Sequence, residues 1–142
     1  MERQTLVIVN PHAAGGHAQK IFQQIEGKLE KAFGELMVAV TQSPDEVGIH
    51  LDAAAKANID RLIVIGGDGT NHVVLNNLVQ KPELRMTFGC IPVGTGHDFS
   101  RLLGVPSDLE KAVDWLAIAK PKPCDLGRIE YLDMKSGGKP ST

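Results

Sequence analysis

Three clusters of glycine and small polar residues are the places where this chain could do chemistry. They are Asn10-Pro11-His12-Ala13-Ala14-Gly15-Gly16-His17, Gly66-Gly67-Asp68-Gly69-Thr70-Asn71-His72 and Pro92-Val93-Gly94-Thr95-Gly96-His97. Glycine lets a backbone come close to a ligand, and the free N–H groups that open a following helix carry about half a positive charge, which favours an anion. A phosphate is the natural guest. Asp68 runs against this at first sight, because a carboxylate repels a bare phosphate unless it orders the loop, meets a ribose or amide, or acts through Mg²⁺. It could also simply cap its own turn. Thr70 and Asn71 are suited to cap the next helix, and Thr70 can also donate to a phosphate oxygen. No Gly-Lys-Ser/Thr follows a glycine loop, and the stretch from Gly67 to His72 lacks the third glycine of a dinucleotide turn, so the two commonest nucleotide fingerprints fail. His12, His17, His72 and His97 fall in or beside these loops, without the spacing of a transition-metal site.

The elements that must position these residues follow from hydrophobic patterning. Leu6-Val7-Ile8-Val9 is a continuous apolar run, as in a strand covered on both faces. Ile21, Phe22, Ile25, Leu29, Ala32 and Phe33 share one helical face, and that helix ends near Gly34. Residues 36–40 read as a second strand. Ser43-Pro44-Asp45-Glu46 is a capping box that starts a helix at Ser43, running to about Asn58 and burying Val47, Leu51 and Ala54. Leu62-Ile63-Val64-Ile65 is a third strand, followed by a helix carrying Val74, Leu75 and Leu78. Residues 87–91 make a fourth strand and residues 98–103 a short helix, with Asp98 as its cap. Ser107-Asp108-Leu109-Glu110 opens a last helix with a stripe of Leu109, Ala112, Val113, Leu116 and Ala117, stopped by Pro121. Residues 124–132 suggest a final strand or hairpin, and residues 136–142 a frayed end. Strands alternating with helices predict an α/β fold of three layers, a mostly parallel sheet with helices on both faces. All three glycine loops then meet at the carboxyl edge of that sheet, where open α/β sheets bind ligands.

Composition bounds the rest. The chain has 142 residues, enough for one domain, and its 42% hydrophobic and 23% charged content is that of an ordinary globular protein. Fifteen basic against seventeen acidic residues give a net charge of −2, which argues against nucleic acid as a partner. No apolar stretch approaches the ~20 residues that span a bilayer, and Met1-Glu2-Arg3-Gln4 leads into the first strand without a signal-peptide pattern. A cytoplasmic protein is expected. Cys90 and Cys124 have no metal or redox spacing and read as packing residues.

The three clusters together resemble the successive motifs of the diacylglycerol kinase catalytic domain, a family that includes bacterial lipid kinases and sphingosine kinases. Gly-Gly-Asp-Gly also occurs in NAD kinases and phosphofructokinases. The discriminating element is Ile91-Pro92-Val93-Gly94-Thr95-Gly96-His97-Asp98-Phe99-Ser100-Arg101. The resemblance implies the fold shared by the first domains of NAD kinases and diacylglycerol kinases. It also implies an ATP site, with Asn10, Pro11, His12, Ala13 and Ala14 and then Gly66, Gly67, Asp68, Gly69, Thr70, Asn71 and His72 around the phosphates. Gly94, Thr95 and Gly96 come from the third loop, and Thr41 matches a threonine that contacts nucleotide in bacterial members. Asp68 is implied to be the catalytic, least replaceable residue, ATP and Mg²⁺ the cofactors, and a lipid alcohol such as diacylglycerol the phosphate acceptor. Two departures stand out: many bacterial members carry Asn-Glu where this chain has His72-Val73, and His97 replaces the asparagine usual before Asp-Phe. The same resemblance assigns residues 1–128 to the nucleotide domain and residues 129–142 to the start of a second, β-rich domain. That domain would bring the general base, structural Mg²⁺ ligands and much of the lipid pocket. It further implies peripheral membrane contact, and either homo-oligomers or docking of that β domain on exposed apolar surface. The alternatives are a stand-alone nucleotide-binding or regulatory module without transfer activity, and an NAD kinase-like enzyme.

Overall fold

The apolar runs do become strands, and their two faces are filled by different helices. The computed structural model describes residues 4–133 and 139–141. Strands β1 (Thr5–Val9), β2 (Leu36–Val40), β3 (Arg61–Gly66) and β4 (Thr87–Pro92) form one sheet in the order β2-β1-β3-β4, with every pairing parallel. Side chains alternate across a strand, so Val7, Val9, Ile63 and Ile65 face one way and Leu6, Ile8, Leu62 and Val64 the other. The first set packs with Phe22, Ile25 and Leu29 of α2 (Ala18–Phe33) and with Ala112 and Val113 of α6 (Leu109–Ile118). The second set packs with Val47, Leu51 and Ala54 of α3 (Glu46–Lys56) and with Val74 of α4 (Asp68–Gln80). This is the expected three-layer α/β fold. β1 is buried along its whole length, as a continuous apolar run between two helical layers must be.

Ion pairs join neighbouring helices within each layer, and a cation clasp fastens the sheet to α2. Lys28 Nζ lies 2.9 Å from Asp114 Oδ2 between α2 and α6, and Lys81 Nζ lies 2.7 Å from Asp52 Oδ1 between α4 and α3. The partly exposed Lys81–Asp52 pair contributes at most about 1 kcal/mol. At the amino edge of the sheet, Arg61 donates from Nε to Thr5 Oγ1 at 2.7 Å and from Nη2 to the Phe33 carbonyl at 2.6 Å. Its guanidinium carbon sits 5.1 Å from the centre of the Phe33 ring.

Several boundaries differ from the sequence reading. α3 starts at Glu46 rather than Ser43 and ends at Lys56, because Glu46 Oε2 accepts the Gln42 N–H at 2.9 Å while Ser43 provides no side-chain cap. Asp108, not Ser107, caps α6, accepting the Lys111 N–H at 2.9 Å. Ala32 and Ala117 are exposed, and Trp115 joins the core in their place. The helix after the third loop is α5 (Asp98–Leu102), and a one-turn element, α1 (Ala13–Gly16), sits inside the first loop. Residues 124–130 are irregular rather than a strand, and the hairpin lies further on, where β5 (Tyr131–Asp133) pairs antiparallel with β6 (Lys139–Ser141). The frayed end expected over residues 136–142 lies partly outside the described residues, and β6 occupies 139–141 of it. Cys90 is buried as expected, whereas Cys124 is exposed.

Candidate functional site

In the order β2-β1-β3-β4 the chain starts in the middle of the sheet, and the connections leaving β1 and β3 diverge at a topological switch point. A cleft of about 590 Å³ opens there, at the carboxyl edge, lined by residues that follow all four strands. That volume is in the range of small-molecule sites, roughly 300–1,000 Å³. Of the residues singled out from sequence, Asn10, His12, Ala13, Ala14, Thr41, Gly67, Asp68, Gly69, Thr70, Gly94, Thr95 and Gly96 line it. Pro11, Gly66, Asn71 and His72 do not. Gln42, Ser43, Pro44, Val47, Val73 and Val93 also line it and were not singled out. The capping-box pattern places residues 43–45 at the start of a helix and hydrophobic patterning assigns Val47 to the core, while Gln42 carries no signal of its own. No sequence signal marked Val73 as lining a cleft except its place as a departure from the family pattern.

Side-chain amides and carboxylates knit the three glycine loops together. Asn10 donates from Nδ2 to Thr70 Oγ1 at 2.9 Å and accepts the His12 N–H on Oδ1 at 3.0 Å, so one carboxamide shapes the first loop and ties it to the second. Gly66 ends β3 directly beneath Thr70: a Cβ there would lie 2.6 Å from both Thr70 Cβ and Oγ1. The second cluster is hardly a loop. Gly67 is the N-cap of α4 without any side-chain cap, and the helix begins at Asp68. Thr70 and Asn71 therefore sit inside its first turn and do not cap it. The first helical bond runs from the Asn71 N–H to the Gly67 carbonyl at 3.1 Å, which leaves the N–H groups of Asp68, Gly69 and Thr70 without helical partners at the cleft wall. Gly94, at φ +91°, brings the third loop onto the first, where an added Cβ would stand 3.4 Å from the Ala14 nitrogen. Ala14 itself adopts φ 54°, ψ 41°, a left-handed conformation that L-residues other than glycine rarely hold.

Asp68 answers the question its charge raised. Oδ2 accepts the Asp98 N–H at 3.0 Å and Oδ1 the Phe99 N–H at 3.1 Å. The carboxylate neither caps its own turn nor points only at the cleft; it caps α5, thirty residues further along the chain. Asp98, expected to cap that helix, is its first residue with an exposed side chain, and α5 receives no side-chain cap from its own N-cap residue His97. Behind this junction, burial pushes the Cys90 thiol up from 9.0 to about 12, with the charge of Asp68 adding to the shift, so Cys90 is no nucleophile.

Asn71 is only 4% exposed and turned inward, its Oδ1 without a partner. His72 lies on the outer side of α4, its Nε2 3.1 Å from Asn76 Nδ2. There it borders a second groove of about 630 Å³ between α4 and residues 126–131. No group of three His, Cys, Asp or Glu side chains among the described residues could hold a metal ion. Asp68 is the one carboxylate on the cleft wall, and both its oxygens are engaged by N–H groups. The described residues therefore do not by themselves compose a Mg²⁺ site.

Known proteins share this arrangement. A diacylglycerol kinase of Staphylococcus carnosus (strain TM300) is 31% identical over 98% of this chain, which covers 46% of that protein. One from Staphylococcus aureus (strain bovine RF122 / ET3-1) is 30% identical over 98% of this chain and 45% of its own length. A solved structure of a diacylglycerol kinase from Bacillus anthracis str. Sterne superimposes with a TM-score of 0.69 at 34% identity, covering 82% of this chain and 39% of that one. The chain thus spans about half the length of the curated relatives it matches. Residues 4–129 match the diacylglycerol kinase catalytic domain, and the chain belongs to that family.

Proposed function

We propose that this chain is the nucleotide-binding unit of an ATP-dependent lipid kinase, which transfers the γ-phosphate of ATP to the hydroxyl of a lipid alcohol such as diacylglycerol. The observation that carries the reading is the cleft at the switch point, walled by three glycine-rich segments and by the start of α4, where the N–H groups of Asp68, Gly69 and Thr70 lack helical partners and suit phosphate oxygens. In this reading the phosphates lie between residues 67–70 and 94–96. The base lies toward Thr41, Pro44, Val47 and Val73, the more apolar wall. Phosphoryl transfer asks a protein mainly for positioning and charge neutralisation. The lipid hydroxyl gives up its proton to a base outside this nucleotide-binding unit, its oxygen bonds to the γ-phosphorus, the bond to the β-γ bridging oxygen breaks, and ADP leaves. Asn10 and Asp68 serve this by fixing the three turns relative to one another. A Mg²⁺ ion accompanying the nucleotide would supply neutralisation of phosphate charge, for which the described residues offer no ligand set of their own. Among the described residues no helix is long and apolar enough to cross a membrane, and we propose a cytoplasmic protein that meets its lipid peripherally.

Calorimetric titration with Mg-ATP, paired with a radiolabelled diacylglycerol phosphorylation assay, tests the reading. Binding accompanied by lipid phosphorylation supports it. Even weak transfer rules out a nucleotide-binding module without transfer chemistry, a reading for which the full engagement of Asp68 by N–H groups speaks. Phosphorylation of NAD with no lipid turnover favours an NAD kinase-like enzyme, and an absence of ATP binding refutes all three.

A further inference from the structure

The second groove starts close to the nucleotide cleft and leads away from it along the same helix. Asp68, His72, Leu75, Asn76 and Val79 are spaced so as to share one face of α4, and the last four border the groove. Its upper end therefore lies one helical turn, about 6 Å, below Asp68, the residue that holds the third loop through α5. Leu126, Ile129 and Tyr131 stand opposite. Val79 is 49% exposed, Leu126 48%, Ile129 78% and Tyr131 56%, so four of the eight large apolar side chains exposed among the described residues meet in this one trough. Apolar surface gathered in this way marks a binding site. At the end nearest the nucleotide stand His72 and Asn76, their Nε2 and Nδ2 atoms 3.1 Å apart, and Gln80 adds an amide at the far end. Arg128, the one charged residue lining the groove, lies 2.6 Å from Glu130, so among the described residues no unmatched charge faces it.

We propose that this groove holds a hydrocarbon chain of a neutral lipid alcohol, with the polar end of the lipid against His72 and Asn76 and the chain between Val79 and Ile129. The proposal rests on the reading of the chain as a lipid kinase, and it gives the nucleotide unit itself a part in gripping the acceptor. An uncharged occupant suits these walls, because an anionic headgroup or a charged peptide segment would leave water here without a counter-charge. The order of groups along α4 sets the orientation. A hydroxyl near His72 points up the helix toward its amino end, where the free N–H groups of Asp68, Gly69 and Thr70 suit the phosphates, while the chain trails toward Val79 and away from the cleft.

Photolabelling and calorimetry on the whole chain test the proposal. Dioctanoylglycerol carrying a diazirine at one chain end should label residues 75–80 and 126–131, and unlabelled dioctanoylglycerol should displace it. Each methylene added to the buried chain should tighten binding about fourfold until the groove is full. Val79→Gln and Ile129→Gln, both at exposed positions, should each weaken dioctanoylglycerol by about tenfold while circular dichroism and Mg-ATP affinity stay as in the parent. If either variant does not fold, the labelling pattern and the chain-length series decide. Labelling at Ile49, Leu102 or Ile118 as heavy as in the groove, an affinity unmoved by both substitutions, or no dependence on chain length would each overturn the proposal. Label displaced by raising the protein concentration rather than by unlabelled lipid would assign the groove to a second copy and overturn it too. Mg-ATP binding without groove labelling refutes the lipid site alone, whereas groove labelling without Mg-ATP binding refutes the kinase reading and spares the lipid site.

Discussion

Replacing Asp68 by alanine separates positioning from contact. The substitution removes the acceptor of two bonds, of 3.0 and 3.1 Å, that hold the amino end of α5. Loss of a helix-capping acceptor costs about 0.5–2 kcal/mol, and with both carboxylate oxygens engaged the upper end applies, about 2 kcal/mol. For a chain of this size each kcal/mol moves the melting temperature by about 3–4 °C, so Asp68→Ala should melt about 6–8 °C lower. Asp68→Asn keeps one acceptor and should lose about half as much. If the third loop loosens by the same amount, nucleotide must restore its order on binding, which weakens ATP by about 30-fold. Thermal unfolding followed by circular dichroism, beside ATP titration of the same samples, reads both quantities. An Asp68→Ala protein that melts with the parent yet no longer binds ATP would refute the reasoning, because Asp68 would then act on the ligand directly rather than through α5.

Other substitutions probe single contacts. Gly66→Ala places a methyl group 2.6 Å from Thr70 Cβ, and the overpacking should cost about 1–3 kcal/mol in denaturant unfolding while displacing the hydroxyl that receives Asn10 Nδ2. Ala14→Gly relieves a left-handed alanine worth about 1–2 kcal/mol, partly offset by glycine's chain entropy, so the melting temperature should rise by a degree or two; a fall would show the loop is not so strained. In the folded protein a thiol reagent near neutral pH should label Cys124 and spare Cys90 until the chain is unfolded. The folded Cys90 thiol titrates at about 12 instead of 9.0, so the unfolded chain gives up that proton first. Its contribution to stability is therefore complete below pH 9 and falls by about 1.4 kcal/mol per pH unit from there toward 12. Cys90→Ala should flatten that part of the stability profile.

Much of this architecture is legible in the residues themselves. β2 at Leu36–Val40 matches the predicted strand, and the stripe of Phe22, Ile25, Leu29 and Phe33 is the buried face of α2, because period-2 and period-3.6 patterns record directly which atoms must leave water. The convergence of the glycine loops follows from parallel topology alone. What escaped are contacts between residues far apart in sequence. Nothing in Gly66-Gly67-Asp68-Gly69 announces that its carboxylate serves a helix thirty residues away. Local chemistry also misled where two candidates stood side by side, as with Ser107 and Asp108, since either can cap and packing chooses. Ser43-Pro44 looked like a helix start, yet Glu46 reaching back to the Gln42 N–H delays α3 and leaves residues 42–44 to line the cleft.

The Arg61 clasp lies at the pole of the sheet remote from the cleft. There a single guanidinium fastens β3 to β1 and to the last turn of α2. Rigidity is thereby concentrated at the end of the molecule that needs no opening, while the other end is assembled from turns tethered by a few side chains. Changes around Arg61 should accordingly lower the temperature at which the whole chain melts while sparing its appetite for nucleotide, whereas changes among the turns, at Asp68 or Gly66, strike both at once.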